Sequence, residues 1–420
     1  MTADALSSRP FVRGWLVVGV ALFGISTGPA AFGLASMGLV SSPLAAEFGW
    51  SMSQISGAVS LMMLATAACM PIAGKMVDKW GPRRVLLPSI LVLAATFLLA
   101  PFIRNYAQFL AFYIAIGTVA VGTNSVAYMR ILSSWFDRRR GLAIGVAGSG
   151  TGLGFAYVPL LSAALVAQFG WRGCYIGLGC ILLFVTLPLV FFIMKETPQD
   201  VGLAVDGGIP SETAQPALGG SSLSEALRSR DFWVLLAVFV GLAFALYGLM
   251  PHLVPLLASR GMGEAAAASI ASLFGLAAFG GRLLIGFLLD KFDARRIALI
   301  FFSLSAIGLF ALTLSLPYWA FVVAAILLGG SLGAEVDMLA YLISRYFGLK
   351  AFSQIFSVMF SAVLMAMGTA PLIFGIVFDR TGSYSSILAL CAPICLVAIG
   401  LVLLLRPYGA KARGAALSST

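Results

Sequence analysis

Three ionisable side chains lie deep inside apolar runs of this sequence: Arg282, Glu335 and Asp337. Arg282 belongs to "GGRLLIGFLLD", eight residues before Asp290, and the two acids belong to "GGSLGAEVDMLAYLISRYFG". A guanidinium presents a planar fork of donors that matches a carboxylate, whether that carboxylate is a ligand or a neighbouring side chain. The three groups therefore predict either a binding site for a small carboxylate or a structural ion pair between helices.

The two acids cannot share one face of a helix, because a separation of two residues turns the helix by about 200°. One acid is expected to border a cavity and the other to point into the packed protein. Tyr341 follows Asp337 by four residues and shares its face, so we predict that Tyr341 contacts the ligand. Two carboxylates against one arginine would leave a negative site, and at least one acid is expected to be protonated or paired. We predict that Glu335 and Asp337 carry protons, and the sequence leaves open which of them borders the cavity.

Four further polar side chains are candidates for the same pathway. His252 is the single histidine of the chain, in "PHLVP". It is either a proton switch or a packed, hydrogen-bonded histidine. Tyr247 lies about one and a half turns from it and is expected to line the same pathway. Asn124 and Tyr128 have the i, i+4 spacing that puts two side chains on one helix face, where both could donate hydrogen bonds to a ligand.

A charge cluster, "GKMVDKWGPRR" at 74–84, has a partial copy, "GFLLDKFDARR" at 286–296, 212 residues later. In this register Asp78 falls on Asp290 and Arg83 on Arg295. Chance matches are frequent in apolar sequence but rare for charged clusters, so the repeat indicates two related halves. Such parallel repeats are found in membrane transporters.

The cluster has the composition of a conformational latch. Asp78 could sit against the positive N-terminal end of a helix that begins near 351–353, and Asp290 against one that begins near Gly141. Alternatively, these charges only fix the orientation of the chain in a membrane. The residues assigned to the predicted gating motif are Gly74, Asp78, Lys79, Gly81, Arg83, Arg84, Asp290 and Arg295.

The composition requires lipid as the solvent. Of the 420 residues, 60% are hydrophobic and only 10% are charged, with a mean hydropathy of +1.02; soluble domains are closer to ~25% charged. Runs near the ~20 residues that cross a bilayer predict twelve spans without the alternation of barrel strands. The fold class predicted is therefore an all-α membrane protein with twelve transmembrane helices. The predicted spans are 14–41, 53–76, 84–103, 106–130, 141–168, 172–194, 231–258, 265–289, 296–316, 318–345, 351–377 and 383–406.

The distribution of positive charge sets the orientation. Of the 26 lysines and arginines, Arg104, Arg172, Arg260 and Arg380 fall on one side and Arg282 within a span, which leaves 21 on the side of both termini. Basic loops stay in the cytoplasm, so both termini are predicted to be cytoplasmic. The net charge of +10 is then topological, and no nucleic-acid partner is expected. The Gly-, Pro- and Ser-rich segment 195–230 predicts a flexible linker between two domains, 1–194 and 231–420.

Nothing in the sequence indicates an enzyme, a metal site or a cofactor. The five cysteines lie in apolar runs and match neither a disulfide framework nor a zinc set. The glycine run "GVAGSGTGLG" has no preceding strand and is better explained by close helix packing than by a nucleotide loop. No pairing of a nucleophile with a base is visible. We predict a protein that is not an enzyme.

The cluster at 74–84 resembles the signature of the loop between helices 2 and 3 in the major facilitator superfamily, Gly-x-x-x-Asp-Arg/Lys-x-Gly-x-Arg-Arg. "WFDRRRGLAIGVAGSGTGLG", "RGWLVVGVALF", "PHLVPLLASRGM" and "GGRLLIGFLLD" together resemble the monocarboxylate transporter and oxalate:formate antiporter branch. This resemblance implies two pseudo-symmetric six-helix bundles. It also implies that Arg282 matches the helix 8 arginine that binds the substrate carboxylate. The acids of the tenth span depart from the neutral polar groups of the better-known carboxylate transporters.

The prediction is a multi-pass transporter of the bacterial inner membrane that works by alternating access. Its expected partners are the lipid bilayer, a small organic anion such as a monocarboxylate, and protons in symport or a second anion in exchange. We expect a monomer. The alternatives are uptake of a larger neutral or weakly acidic metabolite, such as a vitamin or an aromatic acid, and a transporter-like sensor. The sensor is less favoured because 195–230 is too short and too polar for a signalling domain.

Overall fold

The computed structural model describes residues 10–207, 219–314 and 316–405, and almost all of its regular structure is helical. Helices α1 to α9 fill the first half of the chain. Their bounds are Pro10–Ser26, Met37–Phe48, Met52–Trp80, Pro82–Leu99, Tyr106–Thr118, Ser125–Trp135, Arg140–Gly148, Gly150–Ile181 and Leu187–Ile193. Wider π turns connect α1 to α2 and α8 to α9, at Ala30–Ala35 and Leu182–Thr186.

Helices α10 to α17 follow in the second half. Their bounds are Leu223–Leu227, Arg230–Leu249, Leu253–Ser259, Glu264–Lys291, Ala294–Thr313, Tyr318–Tyr346, Phe352–Thr381 and Ser385–Leu403. Local sequence sets several ends. Ser51 and Gln54 form a capping box at the start of α3. Asp293 caps α14, and Gly382, with a φ of 65°, ends α16.

The helices supply the twelve predicted spans. Among the described residues, ten stretches are long and apolar enough to cross a bilayer, and the bent pair of α5 with Val121–Trp135 raises the number to eleven. One stretch, Arg140–Ile193, has 54 residues, more than twice the ~20 that one crossing needs. Gly170 interrupts it with a φ of 69° and a ψ of −177°. Counted as two crossings, this stretch brings the total to twelve.

The chain forms two compact units. The first comprises the described residues of Met1–Ala217 together with Phe352–Ser361, and the second those of Leu218–Ala351 and Ala362–Thr420. Fully buried aromatic side chains fill the interior of each unit, such as Tyr113, Tyr128 and Tyr175 in the first and Phe239 and Phe302 in the second. Helix α16 contributes to both, since its first ten residues group with the first unit.

Several predicted spans are not continuous helices. The prediction of one helix over 106–130 was wrong, because a 3-10 turn at Val119–Thr123 separates α5 from α6 with a bend of 46°. Valine, threonine and glycine in "VAVGTN" are weak helix formers, and Gly122 packs against Val85 and Ser89 with no room for a side chain. The first predicted span, 14–41, is likewise broken between α1 and α2, and the seventh, 231–258, between α11 and α12.

The predicted linker is anchored wherever the structure describes it. The carboxylate of Asp206 accepts hydrogen bonds from the backbone N–H groups of Asp137 and Arg138, at 3.2 and 2.8 Å. Farther on, Ser221 N–H donates to the carbonyl of Phe347 at 2.8 Å. Residues 208–218 of the linker lie outside the described residues. The flexibility predicted for 195–230 therefore does not apply to its two ends.

Candidate functional site

Glycines bring two helices of the second unit into backbone contact. A β-carbon on Gly281 of α13 would clash with the carbonyl of Gly330 on α15. In the other direction, β-carbons on Gly329 and Gly333 would clash with the carbonyls of Phe274 and Ala278 on α13. Small residues allow this approach between helices in a membrane. The contact places Arg282, the neighbour of Gly281, directly against the middle of α15.

Arg282 forms an ion pair with Asp337 of α15. Its Nε lies 3.0 Å from Asp337 Oδ2 and donates a hydrogen bond to the carbonyl of Gly333 at 3.3 Å. Neither carboxyl oxygen of Asp337 accepts a well-aligned hydrogen bond from the residues that the structure describes, so the contact is ionic in character. The Asp337 side chain is 1% exposed, whereas that of Arg282 is 15% exposed. Arg282 is thus the more exposed member of the pair.

Glu335 is buried differently from Asp337. It is 1% exposed, and both of its carboxyl oxygens are buried without a hydrogen-bond partner among the described residues. It interacts electrostatically with Arg282, with Tyr247 on α11 and with Cys395 on α17, but it forms no ion pair with Arg282. The structure therefore places the two acids of α15 in different surroundings, one in an ion pair and one in a packed interior.

His252 has a partner for each ring nitrogen. Its Nδ1 lies 3.1 Å from the hydroxyl of Tyr384 and its Nε2 lies 3.0 Å from the carbonyl of Pro371. The ring also stacks on Phe374, with an interplanar angle of 17° and centroids 6.0 Å apart. This geometry favours the alternative of a packed, hydrogen-bonded histidine, and a role in proton movement stays a prediction.

The two predicted tyrosines of the second unit lie in different positions. Tyr247 is half-buried and interacts electrostatically with Arg282, Glu335 and Asp337, so it belongs to the same cluster. Tyr341 is 3% exposed, and its ring lies 5.1 Å from the guanidinium carbon of Arg345. Ligand contact by either residue stays a prediction.

In the first unit, Asn124 and Tyr128 each have a buried polar atom but do not share a helix face. Asn124 precedes α6 and has an extended backbone, with a ψ of 170°, so the i, i+4 argument fails because the helix is broken there. Asn124 Nδ2 and the Tyr128 hydroxyl are both buried and lack hydrogen-bond partners among the described residues. Tyr128 packs against Gly24 of α1, where a β-carbon would clash with its ring.

Sequence reasoning missed a second polar cluster in the first unit. The hydroxyls of Thr27 and Thr186 lie 3.1 Å apart and both residues are fully buried. Nearby, the Tyr157 hydroxyl donates to the carbonyl of Ser26 at 3.3 Å. Ser26 and Thr27 lie at the end of α1, and Thr186 lies in the π turn Leu182–Thr186, where apolar sequence gives few signals. The π turns at Ala30–Ala35 and Leu182–Thr186 mark the place only once the structure is known.

Asp78 caps the first turn of α16. Its two carboxyl oxygens accept hydrogen bonds from the backbone N–H groups of Ser353 and Gln354, at 3.2 and 2.8 Å. An anion at a helix N-terminus is stabilised by the unpaired N–H groups and the helix dipole. Gly74 makes the approach possible, because a β-carbon there would clash with Ser353 and Ser357. The helix start near 351–353 is the one expected from the sequence, while the gating role stays a prediction.

Arg130, which the sequence placed outside the spans, is a partner of Asp78. Its Nε lies 3.8 Å from Asp78 Oδ1, and the residue is 9% exposed within α6. Arg282 is consequently not the only basic residue inside a helical span. The predicted span ended at Arg130, and α6 continues to Trp135, which is why the sequence placed this side chain at a surface.

The other residues of the predicted gating motif lie at helix ends. Gly81, with a φ of 91°, separates α3 from α4. Arg83 donates to the carbonyl of Phe191 at 2.5 Å, and Lys79 and Arg84 are exposed. In the second unit, Arg295 donates to the carbonyl of Leu405 at 2.8 Å. Asp290 lies in the last turn of α13, and its role as a conformational latch stays a prediction.

The comparisons with known proteins agree with this architecture. Residues 14–291 and 253–419 match the sequence model of the Major Facilitator Superfamily. Human monocarboxylate transporter 11 is 26% identical over 396 residues, which are 89% of this chain and 79% of that protein. The oxalate:formate antiporter of Oxalobacter formigenes is 27% identical over 273 residues, 64% of this chain and 62% of that protein. The crystal structure of the transporter FucP in the outward conformation matches with a TM-score of 0.72 at 14% identity, over 94% of this chain and 99% of that one.

Among the described residues, long apolar helices with an ion pair between two of them, α13 and α15, are typical of a polytopic membrane transporter. The chain belongs to the Major Facilitator Superfamily, and its relatives are transporters. The resemblance to the monocarboxylate and oxalate:formate branch, drawn from motifs, is confirmed. The fold class predicted from the sequence is confirmed as well.

Proposed function

We propose that this transporter moves a small organic anion, of the monocarboxylate class, by alternating access, in symport with protons or in exchange. The observation that carries the proposal is the Arg282–Asp337 ion pair on glycine-packed helices, with the guanidinium as its accessible member. Ionisable groups inside a membrane are costly, and they usually mark a substrate or ion pathway. The names of relatives that carry monocarboxylates or oxalate and formate support the same class.

Arg282 is proposed as the group that recognises the substrate carboxylate. A guanidinium can bind a carboxylate through two parallel hydrogen bonds, which a lysine cannot reproduce. In the absence of substrate, Asp337 compensates the positive charge. An incoming carboxylate would then compete with Asp337 for the same guanidinium, and this competition links substrate binding to the charge state of α15.

Glu335 is proposed as the group that carries the proton. A buried carboxyl without a hydrogen bond or an ion pair is far less costly as the neutral acid than as the anion, whereas Asp337 is in direct contact with the guanidinium of Arg282. Ionisation of Glu335 would require a partner or water that a different arrangement of the helices supplies. We also propose Tyr247 and Tyr341 as ligand contacts in the second unit; in the first unit, Asn124 and Tyr128 remain candidate hydrogen-bonding groups.

The orientation follows from charge. Most of the 26 basic residues are predicted on one side, and on the positive-inside rule this supports our proposal that both termini are cytoplasmic and that the chain lies in a bacterial inner membrane. We propose a monomer as the functional unit.

The proposed substrate class is tested with the purified protein in proteoliposomes. A panel of labelled mono- and dicarboxylates, neutral sugars and vitamins is presented with and without an inward pH gradient. Uptake of at least one small carboxylate, stimulated by the gradient or by internal unlabelled carboxylate, supports the proposal. Uptake confined to neutral solutes would contradict it.

A further inference from the structure

A basic cavity of about 760 Å³ lies in the first unit, and none of its lining residues belongs to the proposed transport site. Four cations and two acids line it: Lys79, Arg83, Arg84, Lys195, Glu196 and Asp200. Three candidate membrane crossings end or begin here, since Gly57–Trp80 ends, Pro82–Phe102 begins and Arg140–Ile193 ends at its wall. The cavity is therefore at the depth of a membrane–water interface.

Both acids of the cavity are bound to backbone N–H groups. Glu196 accepts from Arg83 N–H at 3.1 Å, at the start of α4. Asp200 accepts from Thr197 N–H at 2.9 Å, within a capping box of its own loop. Their negative charge is thus directed at helix N-termini, where it is stabilised. The cavity keeps an excess of two positive charges.

The cations differ in how firmly they are held. Arg83 is fixed in the wall, with a hydrogen bond to the carbonyl of Phe191 and its guanidinium carbon 5.3 Å from the ring centre of that residue. Lys79 and Arg84 are exposed, and within the described part of the chain no ion pair or side-chain hydrogen bond holds them. They can therefore reach an anion in the cavity without breaking a contact of the fold.

The rim of the cavity is apolar and exposed. Trp80 is 49% exposed and Phe191 is 50% exposed, and both line the cavity. Aromatic side chains at the ends of spans lie at the level of lipid headgroups. A free phosphate ion would use the cations alone, whereas a phospholipid would also cover these rings with its acyl chains.

We propose that this cavity binds the phosphate group of an anionic phospholipid, such as phosphatidylglycerol, with Lys79 and Arg84 as its movable cations and Arg83 as a fixed wall. The acyl chains lie against Trp80 and Phe191. Basic residues next to a membrane bind anionic lipids by charge. The site is independent of the proposed substrate, because none of its residues belongs to the cluster around Arg282.

The test measures how much lipid the purified full-length chain retains. Detergent-solubilised protein is incubated with labelled phosphatidylglycerol or labelled phosphatidylcholine, and bound lipid per protein is determined after gel filtration. The wild-type protein should retain phosphatidylglycerol in preference. The double variant Lys79→Gln, Arg84→Gln should lower the affinity about fivefold for each cation removed. The charge-conserving variant Lys79→Arg, Arg84→Lys should retain the lipid, and it also controls for folding.

The control variant Lys75→Gln, Arg296→Gln removes the same charge from exposed positions outside the cavity and should bind like the wild type. Equal retention by Lys79→Gln, Arg84→Gln and the wild type would overturn the proposal. Equal loss in both doubly neutralised variants would also overturn it, because the effect would then be one of net charge. A third arm adds inorganic phosphate at millimolar concentration. Persistence of the bound lipid supports a lipid site, and its displacement would assign the cavity to free phosphate.

Discussion

Arg282 and Asp337 form an ion pair between α13 and α15, with Nε and Oδ2 3.0 Å apart. The acid is 1% exposed and the base 15% exposed, so the pair is asymmetric in its access to solvent or ligand. Glu335, two residues from Asp337, has no such partner among the described residues. The proposed mechanism assigns a separate role to each: Arg282 binds the anion, Asp337 balances Arg282, and Glu335 carries the proton.

Amide variants of Glu335 and Asp337 distinguish the roles proposed for the two acids. We expect Glu335→Gln to abolish uptake driven by a pH gradient while sparing exchange at equal pH, because exchange needs only the loaded carrier to reorient. Asp337→Asn removes the competitor of the substrate and should lower the KM for exchange. Both modes are measured in proteoliposomes. If both amides kept gradient-driven uptake at the wild-type rate, α15 would not carry the proton, and His252 or simple exchange would explain the coupling better.

The cap of α16 by Asp78 is expected to control the conformational equilibrium. Asp78→Asn keeps the shape of the side chain but removes the charge that interacts with Arg130 and with the helix N-terminus. We expect a shift toward the state that is open to the cytoplasm, read out as increased labelling of introduced cysteines from that side. Asp293→Asn, which alters an exposed helix cap of the second unit, is the matched control. An unchanged labelling pattern in Asp78→Asn would leave this residue a role in topology alone.

The contact between α13 and α15 is expected to tolerate no added methyl group. Gly333→Ala places a β-carbon against the carbonyl of Ala278, and overpacking of this kind costs about 1–3 kcal/mol. The change should lower the Tm of the detergent-solubilised protein and reduce transport. Gly280→Ala is the control, since a β-carbon on Gly280 would meet nothing within 4 Å. Equal thermal stability of the two variants would show that the helices do not depend on this approach.

An ion pair between α2 and α8 in the first unit should make the stability of the protein depend on pH in the acid range. Arg172 Nη2 lies 2.6 Å from Glu47 Oε1. Hydrogen bonds from Arg172 and from the Trp171 indole lower the pKa of Glu47 from its usual 4.5. Because the folded-state pKa is depressed, the stabilisation is present above the pKa of the unfolded chain and is lost as the pH falls through the folded value.

The size of this effect is limited by exposure. Both side chains are about 40% exposed, and such pairs contribute less than about 1 kcal/mol. Glu47→Gln should therefore lower Tm slightly at neutral pH and not at all at pH values below the folded pKa. Arg104→Gln, at an exposed arginine outside the pair, should leave both values unchanged. A destabilisation by Glu47→Gln that persisted unchanged in acid would contradict the assignment.

The sequence predicted those features that depend on composition and charge. Twelve spans follow from apolar length, and the anion at the start of α16 follows from the charge of Asp78 and its position in the repeat. The sequence also offered the ion pair of Arg282 with an acid of a neighbouring helix as an alternative. The choice of Asp337 over Glu335 could not be predicted, because it depends on the rotation of α15 about its axis.

Other features depend on packing that leaves little trace in apolar sequence. The break at Val119–Thr123 arises where Gly122 meets α4, a contact between residues far apart in the chain. The burial of Arg130 follows from the extension of α6 beyond the predicted end of its span. The engagement of Glu196 with the turn at Gly81 joins residues more than one hundred positions apart. Each depends on three-dimensional proximity rather than on local pattern.

The central claim is that the Arg282 guanidinium binds the carboxylate of the substrate. The most direct test uses a labelled carboxylate identified in the panel. Its uptake is compared between the wild type, Arg282→Lys and the control Arg296→Lys, at matched amounts of folded protein. Lysine keeps the charge and loses the planar fork. Since hydrogen bonds to charged groups contribute ~1.5–3 kcal/mol, we predict a loss of roughly ten- to a hundredfold in kcat/KM for Arg282→Lys and none for Arg296→Lys. Uptake by Arg282→Lys at the wild-type rate and KM would contradict the claim.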